Sequence, residues 1–405
     1  MKASWVPVPP GSDFTLANLP YGVFAPAGTP QAWRVGVAIG KHVLDLAGAL
    51  GAEVFTAPSL NAFMAGGPSV WADTREQVTE LLSEPRSARA VRAHLHPIAD
   101  VRLRLPIEVA DYADFYASEH HARNLGRLFR PDGPSLPANW KHLPVGYHGR
   151  AGTVIVSGTP VVRPTGQRRT APDAAPSFGP SLRLDVEVEI GFVVGVPSAL
   201  GTPVAVGDFA QHVFGVVLLN DWSARDIQSW EYVPLGPFLG KSFATSISPW
   251  VVPLSALDGA RVSTPIQEPP PLPNLAESEP WGLDLRLQLE LNGQIVSRPP
   301  YAQMYWSPAQ MLAHMTSNGA SLRTGDLFAS GTVSGPDPGT SGSLIELTRA
   351  GTEPLTLPDG TSRSYLLDGD TVRITGAACS PDGARLGLGE VIGRIAPPIA
   401  SVPPK

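Results

Sequence analysis

A single cysteine, Cys379, stands in a chain of 405 residues. One thiol cannot close an intrachain disulfide, so packing must hold the fold, and such sparing use fits a reducing compartment. Charge is scarce as well: Asp, Glu, Lys and Arg make up only 16% of the chain, with a net charge of −6. That balance offers no basic footprint for nucleic acid or for an anionic membrane. No apolar run approaches the roughly 18 residues of a spanning helix, and the opening MKASWVPVPPGSDF has no apolar leader core. A soluble, cytoplasmic protein is the expectation. Missing too are a G-x-S-x-G elbow, a P-loop, a dinucleotide glycine pattern and H-E-x-x-H. Their absence argues against an activated serine and against an organic cofactor.

Proline (44) and glycine (41) are abundant, which favours many short strands joined by turns over long helices. The 43% hydrophobic content excludes a disordered chain. Residues 1–106 read as a small domain with strands at 22–24, 34–39 and 42–46 and a helix at 70–82 capped by Ser69. Residues 107–405 read as one large β domain. Within it, a helical pattern from Phe115 onward makes Asp114 an N-cap and puts His121 on the same side seven residues later. Residues 154–156 and 161–163 suggest a hairpin, and 167–179 a polar loop. The run GVVLLN at 215–220 is a strand buried on both faces that delivers Asp221. A short helix at 222–231, a glycine- and hydroxyl-rich loop around Lys241, a helix at 308–316 capped by Ser307 and a strand at 344–348 bearing Glu346 follow.

The pattern at 181–194, SLRLDVEVEIGFVV, alternates apolar residues with Asp185, Glu187 and Glu189. Strict alternation is the mark of a strand with one buried face. Four carboxylates, Asp114, Glu187, Glu189 and Asp221, would repel if gathered, and a divalent cation would remove that cost. Separate salt bridges for each are the alternative. His121 has the right chemistry for a general base, and Glu346 for orienting it. Arg225 and Lys241 could offset the remaining negative charge, and Tyr116, Arg130, Tyr147, Gln228 and Tyr232 lie near these motifs with polar tips.

The segments DYADFYASEHHARNLG, LPVGYHGRAGTVIVSGTP, LDVEVEIGFVVG, LLNDWSARDIQSWEYVPLGPFLGKSFATSISPW and ASGTVSGPDPGTSGSLIEL resemble the fumarylacetoacetase family, and SDFTLANLPYGVF and RVGVAIGKHVLDL resemble its small domain. The resemblance covers essentially the whole chain. It implies a mainly β, α+β fold, with an N-terminal SH3-like barrel before a mixed β-sandwich roll, and a homodimer. It also implies hydrolysis of the carbon–carbon bond of a β-diketo acid in tyrosine and phenylalanine breakdown. By resemblance, Asp114, Glu187, Glu189 and Asp221 hold Ca²⁺ or Mg²⁺. A second cation, Mg²⁺ or a monovalent ion, goes to Asp221, Thr245 and the backbone carbonyl of Lys241. Substrate contacts fall to Tyr116, Arg130, Gln228, Tyr232 and Thr332, with Tyr147 nearby. His121 is the base, paired with Glu346, and Arg225, Gln228 and Lys241 stabilise the departing carbanion. One departure is visible: the family's H-A-T-N is here His121-Ala122-Arg123-Asn124, which adds a charge beside the base. A related acylpyruvate hydrolase or a decarboxylase/isomerase of aromatic catabolism, and a non-catalytic, metal-stabilised β protein, are the rival readings.

Overall fold

The apolar run at 215–220 lies inside the strand Val213–Asp221, every residue of which is buried. It is seen in a computed structural model that describes residues 3–169, 171 and 173–399. Its side chains alternate between two cores. Val213, Val216 and Leu218 join the larger one, while Phe214, Val217 and Leu219 join a core shared with the N-terminal segment. A strand with apolar matter on both faces needs no polar alternation.

This strand belongs to a 13-stranded mixed sheet. From one side the order is Leu95–Pro97, His42–Asp45, Arg34–Ile39, Tyr21–Pro26, Trp250–Pro253 and Val213–Asp221. It continues through Val188–Val194, Leu327–Ala329, Tyr112–Phe115 and Gly146–His148. The N-terminal strands therefore do not close a barrel among the described residues; Tyr21–Pro26 pairs onward with Trp250–Pro253. A five-stranded sheet, ordered Gln294–Ser297, Arg286–Leu291, Thr371–Cys379, Arg385–Ala396 and Val161–Val162, adds a second layer to the larger core. The fold is thus sheet-rich α+β.

Several local expectations need correction. Residues 181–194 are not one strand: Leu184–Asp185 pairs with Ser223–Ala224, and the regular strand resumes only at Val188. The acidic side of the pattern is buried as thoroughly as the apolar side, whereas Leu182 is exposed. Tyr112–Phe115 is a strand and not a helix start, because it is gripped on one side by Leu327–Ala329 and on the other by Gly146–His148. The helix begins at Glu119, and its cap is Ser118, whose Oγ accepts the His121 amide at 3.2 Å. Residues 344–347 are a helical turn, since the first amides are claimed by Asp185 and not by a neighbouring strand. Helix Gly67–Ser83 starts two residues before Ser69, with a proline in its first turn, and has no side-chain cap; its Val70 is exposed. The helix expected at 222–231 is Arg225–Glu231, and the loop around Lys241 includes the strand Thr245–Ile247. Val154–Val156 and Val161–Val162 are no hairpin: each pairs in parallel with a distant strand, Thr245–Ile247 and Ile395–Ala396 respectively. The polar stretch at 167–179 instead contributes to a hairpin of Thr165–Arg168 with Ser177–Pro180.

Candidate active site

Neighbouring strands deliver the acidic residues. Glu189 lies opposite Leu219 and Val188 opposite Asn220, so Glu187 and Glu189 fall beside Asp221 at the end of its strand. Asp114 arrives from Tyr112–Phe115, one strand beyond Leu327–Ala329. Asp114, Glu187, Glu189 and Asp221 are all buried, and each offers an oxygen within 4.8 Å of those of the other three. Asp114 Oδ1 and both oxygens of Glu189 have no hydrogen-bond partner. Buried carboxylate oxygens without donors carry a large desolvation cost. A set of hard, converging oxygens of this kind fits a divalent cation.

Two cations of the chain itself border this group. Lys241 Nζ donates to Asp221 Oδ2 at 2.6 Å and also to Glu187 Oε2. Arg225 Nη2 pairs with Glu187 Oε1 at 2.6 Å, while its Nε donates to Asp185 Oδ2 at 2.8 Å and its Nη1 to Gln228 Oε1 at 3.2 Å. Burial by itself would raise the Glu187 carboxyl, but Arg225 and Lys241 hold it well below the usual range. Burial raises Asp114 and Glu189, and the neighbouring carboxylates raise them further. Glu187 is thus compensated, whereas Asp114 and Glu189 are short of positive charge.

Next to the acidic group stands His121, held by helix Glu119–Phe129 and buried. Its Nδ1 lies 2.7 Å from Glu346 Oε2, and its Nε2 points toward Glu187 Oε1 at 3.9 Å. Glu346 also accepts from Asn124 Nδ2 (2.9 Å), Ser334 Oγ (3.0 Å) and Ser343 Oγ (2.6 Å). Burial would raise this carboxyl, yet His121 and the donors around it bring it below its ordinary value. An ionised Glu346 can only accept, so Nδ1 donates to it, and in the neutral imidazole the lone pair lies on Nε2. The Tyr116 ring meets the imidazole edge-on at 5.3 Å between centroids.

Over these residues opens a cavity of about 390 Å³. Its wall includes the oxygen cluster except Asp221, together with His121, Arg225, Gln228 and Lys241. Tyr116, Arg130, Tyr147, Tyr232 and Thr332 also line it. The Tyr147 hydroxyl donates to Asp221 Oδ2 at 3.3 Å, and Thr332 Oγ1 is buried without a partner. Glu346 and Thr245 stand behind the wall, the latter donating from Oγ1 to Asp221 Oδ1 at 3.2 Å.

A family model for the fumarylacetoacetate hydrolase C-terminal region matches residues 111–396, and one for the fumarylacetoacetase N-terminal region matches residues 17–106. The human fumarylacetoacetase is 46% identical over 97% of this chain and 99% of its own length. The chain belongs to the fumarylacetoacetase family. The Arabidopsis thaliana fumarylacetoacetase is 44% identical, over 97% of this chain and 98% of that one. Among solved structures, a fumarylacetoacetate hydrolase from psychrophilic Exiguobacterium antarcticum aligns with a TM-score of 0.55. That alignment covers 94% of this chain and 99% of the other at 16% identity, a likeness of fold alone.

Every residue expected from the family resemblance lies in or directly behind this one cavity. Asp114 and His121 sit on a strand and a helix, and not on one helix face as the seven-residue spacing suggests. Lys241 meets the acidic group through its side chain, the charge compensation that its cation suggests. The donors around Glu346 do not stand out in the sequence as site residues. Asn124 lies one helical turn after His121, and Ser343 three residues before Glu346, spacings that could have flagged both. Asp185 was seen only as part of the acidic alternation. Arg123 turns away from the base, pairing with Glu119 at 2.6 Å and donating to Ser135 Oγ at 3.1 Å.

Proposed function

We propose that this chain is a fumarylacetoacetase, hydrolysing the carbon–carbon bond of fumarylacetoacetate to fumarate and acetoacetate, the last step of tyrosine and phenylalanine breakdown. One juxtaposition carries the reading: a carboxylate-held histidine whose Nε2 faces a buried cluster of four oxygen donors at the base of one cavity. The full-length likeness to curated fumarylacetoacetases supports the substrate.

In this mechanism Glu346 keeps His121 in one tautomer, and Nε2 takes a proton from a water that attacks a carbonyl of the diketone. A divalent cation, Ca²⁺ or Mg²⁺, held by Asp114, Glu187, Glu189 and Asp221, would supply Lewis-acid polarisation of the diketone oxygens. Arg225, Gln228 and Lys241 donate to the negative charge that develops, first on the tetrahedral alkoxide and then on the departing acetoacetate enolate. Arg130, Tyr116, Tyr147, Tyr232 and Thr332 bind and orient the acyl end and its carboxylate. His121, now protonated, returns its proton to the product carbon. Asp221, Thr245 and the Lys241 carbonyl would hold a second cation, Mg²⁺ or a monovalent ion.

The reading extends to the architecture and assembly: an SH3-like unit over residues 1–106, a catalytic β-roll over 107–405, and a cytoplasmic homodimer. No helix among the described residues is long and apolar enough to cross a membrane.

The deciding experiment follows the diketone ultraviolet absorbance of fumarylacetoacetate, first with chelator and then with Mg²⁺ or Ca²⁺ restored. Chelator-sensitive loss yielding fumarate and acetoacetate is expected. No loss with any metal on folded protein would overturn the assignment and send the search to acylpyruvates.

A further inference from the structure

Asp185 is wholly buried, lies two residues before Glu187, and takes no part in the four-oxygen cluster. Its two oxygens accept four N–H groups. Oδ1 receives the amides of Val186 (2.8 Å) and Leu344 (2.7 Å). Oδ2 receives the amide of Ile345 (3.1 Å) and Arg225 Nε (2.8 Å). Leu344 and Ile345 open the helical turn Leu344–Leu347, whose next residue is Glu346, the partner of His121. Arg225, which shares Asp185 Oδ2 with the Ile345 amide, extends to Glu187 and Gln228 at the cavity wall.

We infer that Asp185 is a positioning residue for the hydrolytic reaction. It joins the turn that aims Glu346 at His121 to the guanidinium that lies against Glu187 and Gln228. The base and the charge-stabilising group, which both approach Glu187 Oε1 on their cavity side, are thereby also held in register from behind. This rests on the hydrolytic reading above. The acceptor inventory explains why the residue is an aspartate. An asparagine offers one acceptor oxygen and a two-donor amide, so either orientation leaves a pair of N–H groups facing N–H groups. A glutamate keeps both acceptors but pushes an extra methylene into a packed site.

The test is a set of variants measured on metal-saturated, full-length protein. Asp185→Asn is expected to lower kcat about 10- to 100-fold with a smaller change in KM. It should also cost less when added to Glu346→Gln than it does in the wild type, because both act through the same pair. A purely structural role would lower melting temperature and active fraction, and its effect would multiply with that of Glu346→Gln. A folded Asp185→Asn enzyme with kcat within about twofold of wild type, or fully multiplicative losses, would overturn the inference. If Asp185→Asn does not fold, Asp185→Glu is read in the same cycle. If neither folds, amide exchange is measured in Arg225→Lys. Faster exchange at Leu344 and Ile345 with unchanged exchange along Val213–Asp221 supports the link, and unchanged exchange at both overturns it. An inactive wild type would refute the hydrolytic reading instead, and the exchange measurement would still test whether Asp185 couples the two elements.

Discussion

At the scale of single residues, the site separates proton chemistry from charge compensation. Glu346 accepts four hydrogen bonds and stays ionised, which leaves His121 Nε2 as the basic atom facing the acidic cluster. His121→Ala is therefore expected to lower kcat by about 10²- to 10⁴-fold while retaining the fold and cation binding, checked by steady-state kinetics beside circular dichroism and calorimetric titration. Near-normal turnover would remove His121 from the mechanism. Arg123, the departure from the family pattern, carries a different expectation. It ties Glu119 on its own helix to Ser135 in the following loop, and its side chain is more than a third exposed. Such a pair is screened by solvent, so Arg123→Thr should cost about 0.5 kcal/mol or less in denaturant unfolding and leave kcat unchanged.

At the scale of elements, close backbone approach decides which residues the site tolerates. Gly331 sits between the strand Leu327–Ala329 and Thr332 with φ +73°, and an added Cβ would meet the Phe115 carbonyl oxygen at 2.2 Å. Backbone conformation and space both demand glycine there. Gly331→Ala should force the strand bearing Asp114 away from its neighbour, costing about 1–3 kcal/mol in unfolding and weakening cation binding together with turnover. Stability lost with unchanged cation affinity would show that the shift stops short of Asp114. The same scale shows what could be read from the chain alone. The run at 215–220 was legible as a buried strand because residues 215–219 are apolar without a break, and the Ser307 cap because serine precedes proline at the helix start. Residues 344–347 were not legible: four residues are too few for a period to declare itself, and their conformation depends on Asp185, some 160 positions away. Asp114 looked like a cap for the same reason, since the two strands that flank it come from distant parts of the sequence.

For the whole molecule, the consequence is linkage between cation, proton and fold. The four oxygen donors come from three separated segments, so a bound cation cross-links the sheet, and chelation should lower the melting temperature. At a hundred times its dissociation constant, a ligand specific for the native state adds about 2.7 kcal/mol. Burial and mutual repulsion raise Asp114 and Glu189 well above the ordinary carboxylate range. They take up protons at higher pH than ordinary carboxylates do, so a cation binding there competes with protons, and binding releases them wherever the groups are still protonated. Cation affinity should rise with pH until these groups are ionised and fall as pH drops below that point. Titration calorimetry in buffers of different ionisation enthalpy, at mildly acidic and mildly alkaline pH, reads both effects. An affinity independent of pH would mean that the cluster is already ionised without the cation.

The sequence alone determined the chemistry available and the architecture in outline. Its residue types name hard oxygen donors, one well-placed histidine and a carboxylate to orient it. Its proline, glycine and short apolar runs demand a sheet-rich fold, and its motifs point to one family. Only the tertiary structure decided how these parts meet. Alternation placed Asp185, Glu187 and Glu189 on one face, but pairing between distant strands sent Glu187 and Glu189 to the oxygen cluster and Asp185 to the turn carrying Glu346. The physical reason is that local pattern sets the direction of a side chain, while its partner is set by register with segments that the local pattern does not contain.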